Sequence, residues 1–120
     1  MPAGEALHSR ERAGIDAAIR SAETISRFEF SVYVGASEGD PRAFAELLHA
    51  TLVVPERSVL VLVDPDARAL EVVTGEVVRR SLDDDHARLA VVSMQADLAA
   101  GDLVGAISRG LAQLAHQARR

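Results

Sequence analysis

The segment Val59-Leu60-Val61-Leu62-Val63 constrains this chain more than any other part of it. Five consecutive branched aliphatic residues are too short a run for a helix and favour the pleated backbone, and both faces of the resulting strand are apolar. Such a strand belongs in the middle of a sheet, covered on both sides. Its neighbours are legible. Phe28, Phe30, Val32 and Val34 alternate with Glu29, Ser31 and Tyr33 at the strand period of two, and Gly35 ends the run. Asp64-Pro65-Asp66-Ala67 places Asp first and Pro second in a type I turn, so Leu70 to Thr74 returns as a hairpin partner that stops at Gly75.

Helices flank these strands. Ser9 is placed to cap a first helix, with Glu11 in its opening turn and Ile15, Ala18, Ile19, Ala22 and Ile25 at three- and four-residue steps. Asp40-Pro41 opens a second, with Phe44, Leu47, Leu48 and Thr51 along its buried edge and Pro55 closing it. That helix joins two strands into a β-α-β unit, which requires parallel pairing and a right-handed crossover. Asp83-Asp84-Asp85 precedes a third helix with Leu89, Val92 and Ala96 on one side and Val91, Met94 and Leu98 round the other. A helix apolar nearly all round is expected to be wedged between two neighbours. Gly101-Asp102 breaks and re-caps the chain before a last helix marked by Leu103, Ile107, Leu111 and Leu114. The expected elements are helices at 9–26, 41–52, 85–100 and 102–118 and strands at 28–34, 58–64 and 69–74. The 120 residues suffice for about one core. The reading is therefore a single three-layer α/β/α domain over residues 1–120, with a small mixed sheet and residues 1–8 as a flexible N-terminus.

Composition excludes several functions. There is no Cys, which removes disulfides, thiolate metal sites, Fe–S clusters and cysteine nucleophiles. Aromatic residues make up only 3%, the net charge is −5, and the Arg residues are scattered, so nucleic acid is not an expected partner. No run approaches the roughly 20 apolar residues of a membrane span, and residues 1–27 lack the apolar stretch of a signal peptide. No membrane partner and a cytoplasmic location are expected. His8, His49, His86 and His116 lack the spacing of a helical zinc site, Ser37, Ser58 and Ser93 lack a nucleophile-elbow context, and the glycines form no phosphate loop.

One constellation carries chemistry. Parallel pairing of the first two strands brings their carboxyl ends to one edge of the sheet, where open α/β sheets bind ligands. Glu38 and Asp40 should then face Asp64 and Asp66, and four carboxylates there have the oxygen donors that Mg²⁺ or Ca²⁺ takes. Asp40 and Asp64 also have local work, as helix cap and turn former. Asp83, Asp84 and Asp85 fit helix capping better than cation binding.

The core strand Val59–Val63, the Asp64-Pro65 turn, Val72-Val73-Thr74-Gly75, Ser93-Met94, Ala99-Ala100-Gly101-Asp102-Leu103 and Gly110-Leu111 together resemble the TPM domain, and more closely a small actinobacterial branch of that superfamily whose function is unknown. With the upstream helix and Phe30-Ser31-Val32-Tyr33-Val34-Gly35, the likeness covers nearly the whole chain. It implies a three-layer α/β/α domain; some members are proposed acid phosphatases, and some bind divalent cations through acidic loops. The chain departs from the common pattern where Pro55-Glu56-Arg57-Ser58 replaces Asp-Asn-Gly before the central strand, and Thr74-Gly75-Glu76 replaces Gly-aromatic-Gly after the third.

With no nucleophile and base paired in the sequence, the expected role is a non-enzymatic interaction or regulatory module with a protein partner. The alternative is a metal-dependent phosphatase, in which Glu38, Asp40, Asp64 and Asp66 hold a cation that polarises a phosphoryl oxygen. Self-association is expected through the Phe28–Val34 edge, whose strand has unpaired backbone groups, or through the outer face of the last helix. The competing expectation is a monomer whose long helices shield both.

Overall fold

The computed structural model describes residues 7–119. Its elements are α1 (Ser9–Ser26), β1 (Glu29–Val34), α2 (Pro41–Ala50), β2 (Ser58–Asp64), β3 (Ala69–Thr74), α3 (Asp84–Ala99) and α4 (Leu103–Ala118). Residues 1–6, most of the expected flexible N-terminus, lie outside the described residues. Among the described residues the strands form one sheet in the order β1-β2-β3, with β1 parallel and β3 antiparallel to the central strand. Every residue of β2 is buried, as its doubly apolar sequence demands.

Side-chain alternation sends the two faces of the sheet into separate cores. Leu60, Leu62 and Val73 meet Ala45 and Phe44 of α2 on one side. Val59, Val61, Val63, Phe30 and Val72 meet α1, α3 and α4 on the other. The result is the expected three-layer α/β/α arrangement. At about 25 cal/mol per Å² of apolar surface removed from water, this two-sided burial makes β2 a major source of stability.

Several details differ from the sequence reading. The cap of α1 is His8 instead of Ser9: His8 Nδ1 accepts from the Glu11 amide at 3.4 Å and Glu11 Oε1 accepts from the His8 amide at 3.2 Å. A ring nitrogen thus does what a serine hydroxyl usually does in a reciprocal capping box. Helix α2 stops at Ala50, and Pro55 opens a 3-10 turn, Pro55–Arg57, that feeds β2. Gly75 lets this turn pack tightly, since a Cβ there would meet the Pro55 carbonyl oxygen at 2.1 Å.

The wedged helix is α4, not α3. Helix α4 lies against both α1 and α3, and Ala106, Ile107, Gly110, Leu111, Leu114, Ala115 and Ala118 are all buried. Its small residues permit the close approach: a Cβ on Gly110 would meet Met94 Sδ at 2.3 Å. Helix α3 covers only one of its sides, burying Ala90 and Met94, and leaves Leu89 59% and Val92 57% exposed.

Side chains occupy part of each sheet edge. The Phe30 amide on β1 donates to Glu23 Oε2 from α1 at 3.1 Å. On β3 the Val72 carbonyl accepts from Arg42 of α2 at 2.9 Å, and the Thr74 carbonyl accepts from Arg79. Side chains thus occupy backbone groups that a second strand would need. Phe28 and Phe30 are buried, so the apolar edge expected at the start of β1 is part of the core.

Candidate functional site

A cleft of about 630 Å³ opens at the carboxyl end of β2, between the β2–β3 turn and the corner joining α3 to α4. Val63, Leu70, Leu98 and Leu103 supply apolar walls, while Arg68 and Gln95 bring polar side chains to it. Its size falls within the roughly 300–1,000 Å³ of small-molecule sites.

The turn side is organised by Asp64, which is only 4% exposed. Its Oδ1 accepts from the Ala67 amide at 3.1 Å, closing the turn, and its Oδ2 accepts from the Ser37 amide at 2.8 Å. One carboxylate therefore ties the loop after β1 to the turn after β2. The Ser37 amide, helped by the Ala67 amide, holds the Asp64 pKa below the usual carboxylate range, against the opposing effect of burial. Arg68 ends the turn with φ 53°, and its amide donates to the Pro65 carbonyl at 3.3 Å. Hairpin loops commonly need one left-handed residue, and glycine takes that conformation without penalty.

The opposite wall is the Ala-Ala-Gly-Asp corner. Gly101, at φ +84°, reverses the chain: its amide donates to Leu98 and the Asp102 amide to Asp97. Asp102 then caps α4 through the Gly105 amide at 2.9 Å. Arg109 clamps the corner, donating to Asp97 at 3.0 Å and Asp102 at 2.9 Å. The Arg109 contact, followed by the Gly105 amide, lowers the Asp102 pKa; the contacts to Asp97 and then Asp102 raise that of Arg109.

The four carboxylates expected to hold a cation have separate fates. Parallel pairing does bring their loops together, as the Ser37–Asp64 bond records. Asp64, however, turns inward to serve two amides, and Asp40 Oδ2 caps α2 through the Ala43 amide at 2.9 Å. Glu38 and Asp66 are exposed. Among the described residues no three His, Asp or Glu side chains gather into a group able to hold a metal ion, and these four are not brought together. Asp83 caps α3, with Oδ1 accepting from the His86 amide at 2.9 Å and lying 2.8 Å from His86 Nδ1. His49 Nε2 lies 3.0 Å from the Ser58 carbonyl, tying α2 to the start of β2.

Sequence reasoning missed the cleft itself. Its one available signal is Arg68, a bulky cation where a turn of this kind favours glycine.

The fold and the cleft define a small three-layer α/β/α domain with an open pocket where its central strand meets the hairpin turn. The chain belongs to a family described only as a domain of unknown function (DUF5130), which matches residues 3–115. In fold it is similar to the BA42 protein from the psychrophilic bacterium Bizionia argentinensis, solved by NMR, with a TM-score of 0.76 at 17% identity over 92% of this chain and 80% of that one. It is also similar to the N-terminal domain of a protein from P. gingivalis, with a TM-score of 0.78 at 18% identity over 92% of this chain and 75% of that one. Among the described residues no helix is long and apolar enough to cross a membrane.

Proposed function

We propose that the domain is TPM-like and serves the cytoplasm as a non-enzymatic interaction or regulatory module, docking a partner protein on the outer side of α3. The observation that carries this reading is the mismatch between the α3 sequence, apolar nearly all round, and its one-sided packing against α4 and β3. Leu89, Val92 and Ala96 fall at steps of three and four on the uncovered side, and all three are exposed. An apolar stripe of this kind, continuous along one helix, is the half of a helix-in-groove contact that a partner completes. Asp84 and Asp85 border its upper end and the chain carries a net charge of −5, so the partner is an apolar helix face flanked by cations.

The test is affinity capture from the native host, using the wild-type chain and a Leu89→Asp/Val92→Asp variant as baits. Both changes are at exposed positions, so the variant keeps its fold. A protein retained by wild type and lost from the variant, with a basic amphipathic helix in its sequence, supports the reading. Equal retention by both baits overturns it. So does aryl-phosphate turnover that needs Mg²⁺ or Ca²⁺ and vanishes in Asp64→Ala, which would make the chain a phosphatase.

A further inference from the structure

We infer that the cleft between the β2–β3 turn and the α3–α4 corner binds an aliphatic monocarboxylate, with Arg68 holding the carboxylate at the mouth and the chain lying against Val63, Leu70, Leu98 and Leu103. Arg68 is exposed, and among the described residues it has no carboxylate partner. Arg42, Arg88 and Arg109 are ion-paired; Arg68 is one of several arginines outside these pairs, and it is the arginine that lines the cleft. Its backbone adopts φ 53°, which costs a residue with a Cβ about 1 kcal/mol relative to glycine. Arg27 also has a positive φ, as the left-handed cap of α1, so what sets Arg68 apart is its place: a cation in a strained turn at the mouth of an apolar cleft.

The chemistry of the walls narrows the ligand. The Arg68 guanidinium offers a planar fork that matches a carboxylate, and Gln95 across the cleft adds an amide donor. Asp64 also lines the cleft, but its two oxygens are turned to the Ser37 and Ala67 amides, so it needs no cation from the ligand. Its charge does oppose a second negative charge nearby, which disfavours a phosphate dianion and favours a monoanion. Most of the remaining lining is apolar, and an alkyl chain removes that surface from water where a sugar would not. The site adjoins the α3 stripe without sharing a residue with it: α3 gives the cleft Gln95, Leu98 and Ala99, and Leu89, Val92 and Ala96 lie outside its lining.

The experiment is a titration of the full, ¹⁵N-labelled chain with decanoate, followed by amide chemical shifts, with decanol, acetate and decyl phosphate as comparison ligands. Saturable shifts confined to residues 63–70 and 95–103, with a Kd below about 1 mM, are expected for decanoate. Acetate lacks the chain and decanol the charge, so each should bind at least about tenfold more weakly. Arg68→Gly should weaken decanoate binding about tenfold, the loss of one exposed charge-assisted contact, while leaving the unfolding midpoint unchanged or higher. Ala99→Phe, at an exposed position on the wall, should weaken it by filling the space. The inference is overturned by shifts that do not saturate, by shifts centred on Leu47 and Val53 instead of the cleft, by undiminished binding to Arg68→Gly, or by tighter binding of decyl phosphate. The Leu89→Asp/Val92→Asp chain should bind decanoate as wild type does, so failure of the docking reading and failure of this one are separately visible.

Discussion

Replacing Asp64 with Ala should destabilise the domain by about 2–3 kcal/mol at neutral pH, and the effect should fade in acid. The side chain accepts from the Ser37 amide at 2.8 Å and the Ala67 amide at 3.1 Å. Hydrogen bonds to a charged acceptor contribute roughly 1.5–3 kcal/mol each. Two forces reduce their sum: the carboxylate gives up its hydration on burial, and Ala67, which is exposed, can recover a water in the variant. The low end of the range for each bond therefore applies. A loss of this size is a large part of the roughly 5–15 kcal/mol that holds a domain together, and it should lower Tm by about 10 °C. Asn keeps one acceptor oxygen but presents an NH₂ to the second amide, so Asp64→Asn should cost about half to all of that amount. Because the folded pKa lies below its unfolded value of about 3.9, the contribution is fully present above that value and is lost as pH falls through the folded pKa. Urea unfolding of both chains from pH 8 to pH 2.5 measures the gap. It should stay constant down to about pH 5 and narrow below about pH 4. A gap under about 0.5 kcal/mol at pH 7, or one that does not change in acid, would refute the assignment of Asp64 as the tie between the two loops.

Other outcomes follow from the same contacts. Gly75→Ala should cost about 2 kcal/mol or more in urea unfolding, because the added Cβ collides with the Pro55 and Glu56 carbonyls, which are backbone and cannot swing aside. Gly110→Ala should cost about 1 kcal/mol, less than Gly75→Ala: the clash is with the flexible Met94 side chain, and alanine gains helix propensity. Glu29 lies beside Glu23, whose hydrogen bond and charge raise its pKa. A raised folded pKa gives stability that is present below the unfolded value and lost as pH rises through the folded one, so Glu29→Gln should be slightly more stable than wild type at pH 7 and equal to it near pH 3. Thermal melts at the two pH values check the sign.

Most of the fold is legible because the strong signals are local and agree with one another. The Val59–Val63 run forces a central strand, the Asp64-Pro65 turn forces its hairpin, and Asp40-Pro41 and Asp83 each cap the helix they precede. Pro55 is different. It is a turn residue that both a helix end and a 3-10 start accommodate, and only the register of Gly75 against it selects the second. His8 is not legible as a cap because hydroxyl and carboxylate caps dominate at helix starts, although Glu11 three residues on completes the box as well for a ring nitrogen.

The site was much less legible, for a physical reason. A capping or turn carboxylate and a metal-binding carboxylate look alike in sequence, since both are Asp at a loop. What separates them is whether backbone amides have already claimed the oxygens, as they have for Asp64 and Asp40. The cleft is harder still, because Val63, Leu70, Leu98 and Leu103 would serve equally well as core, and only the gap between a hairpin turn and a helix corner some 30 residues later leaves them facing space. The same problem exchanged the roles of α3 and α4. Periodicity measures how apolar each side of a helix is, and α3 scores as apolar all round. It cannot register that Gly110, with Ala106, Ala115 and Ala118, lets α4 come close enough to its neighbours to take the middle place. Once α4 holds that place, α3 is left at the margin of the layer with Leu89 and Val92 in water. The stripe on α3 is thus a consequence of small residues on another helix, and enlarging Gly110 should loosen the α3–α4 seam without making the stripe any less apolar.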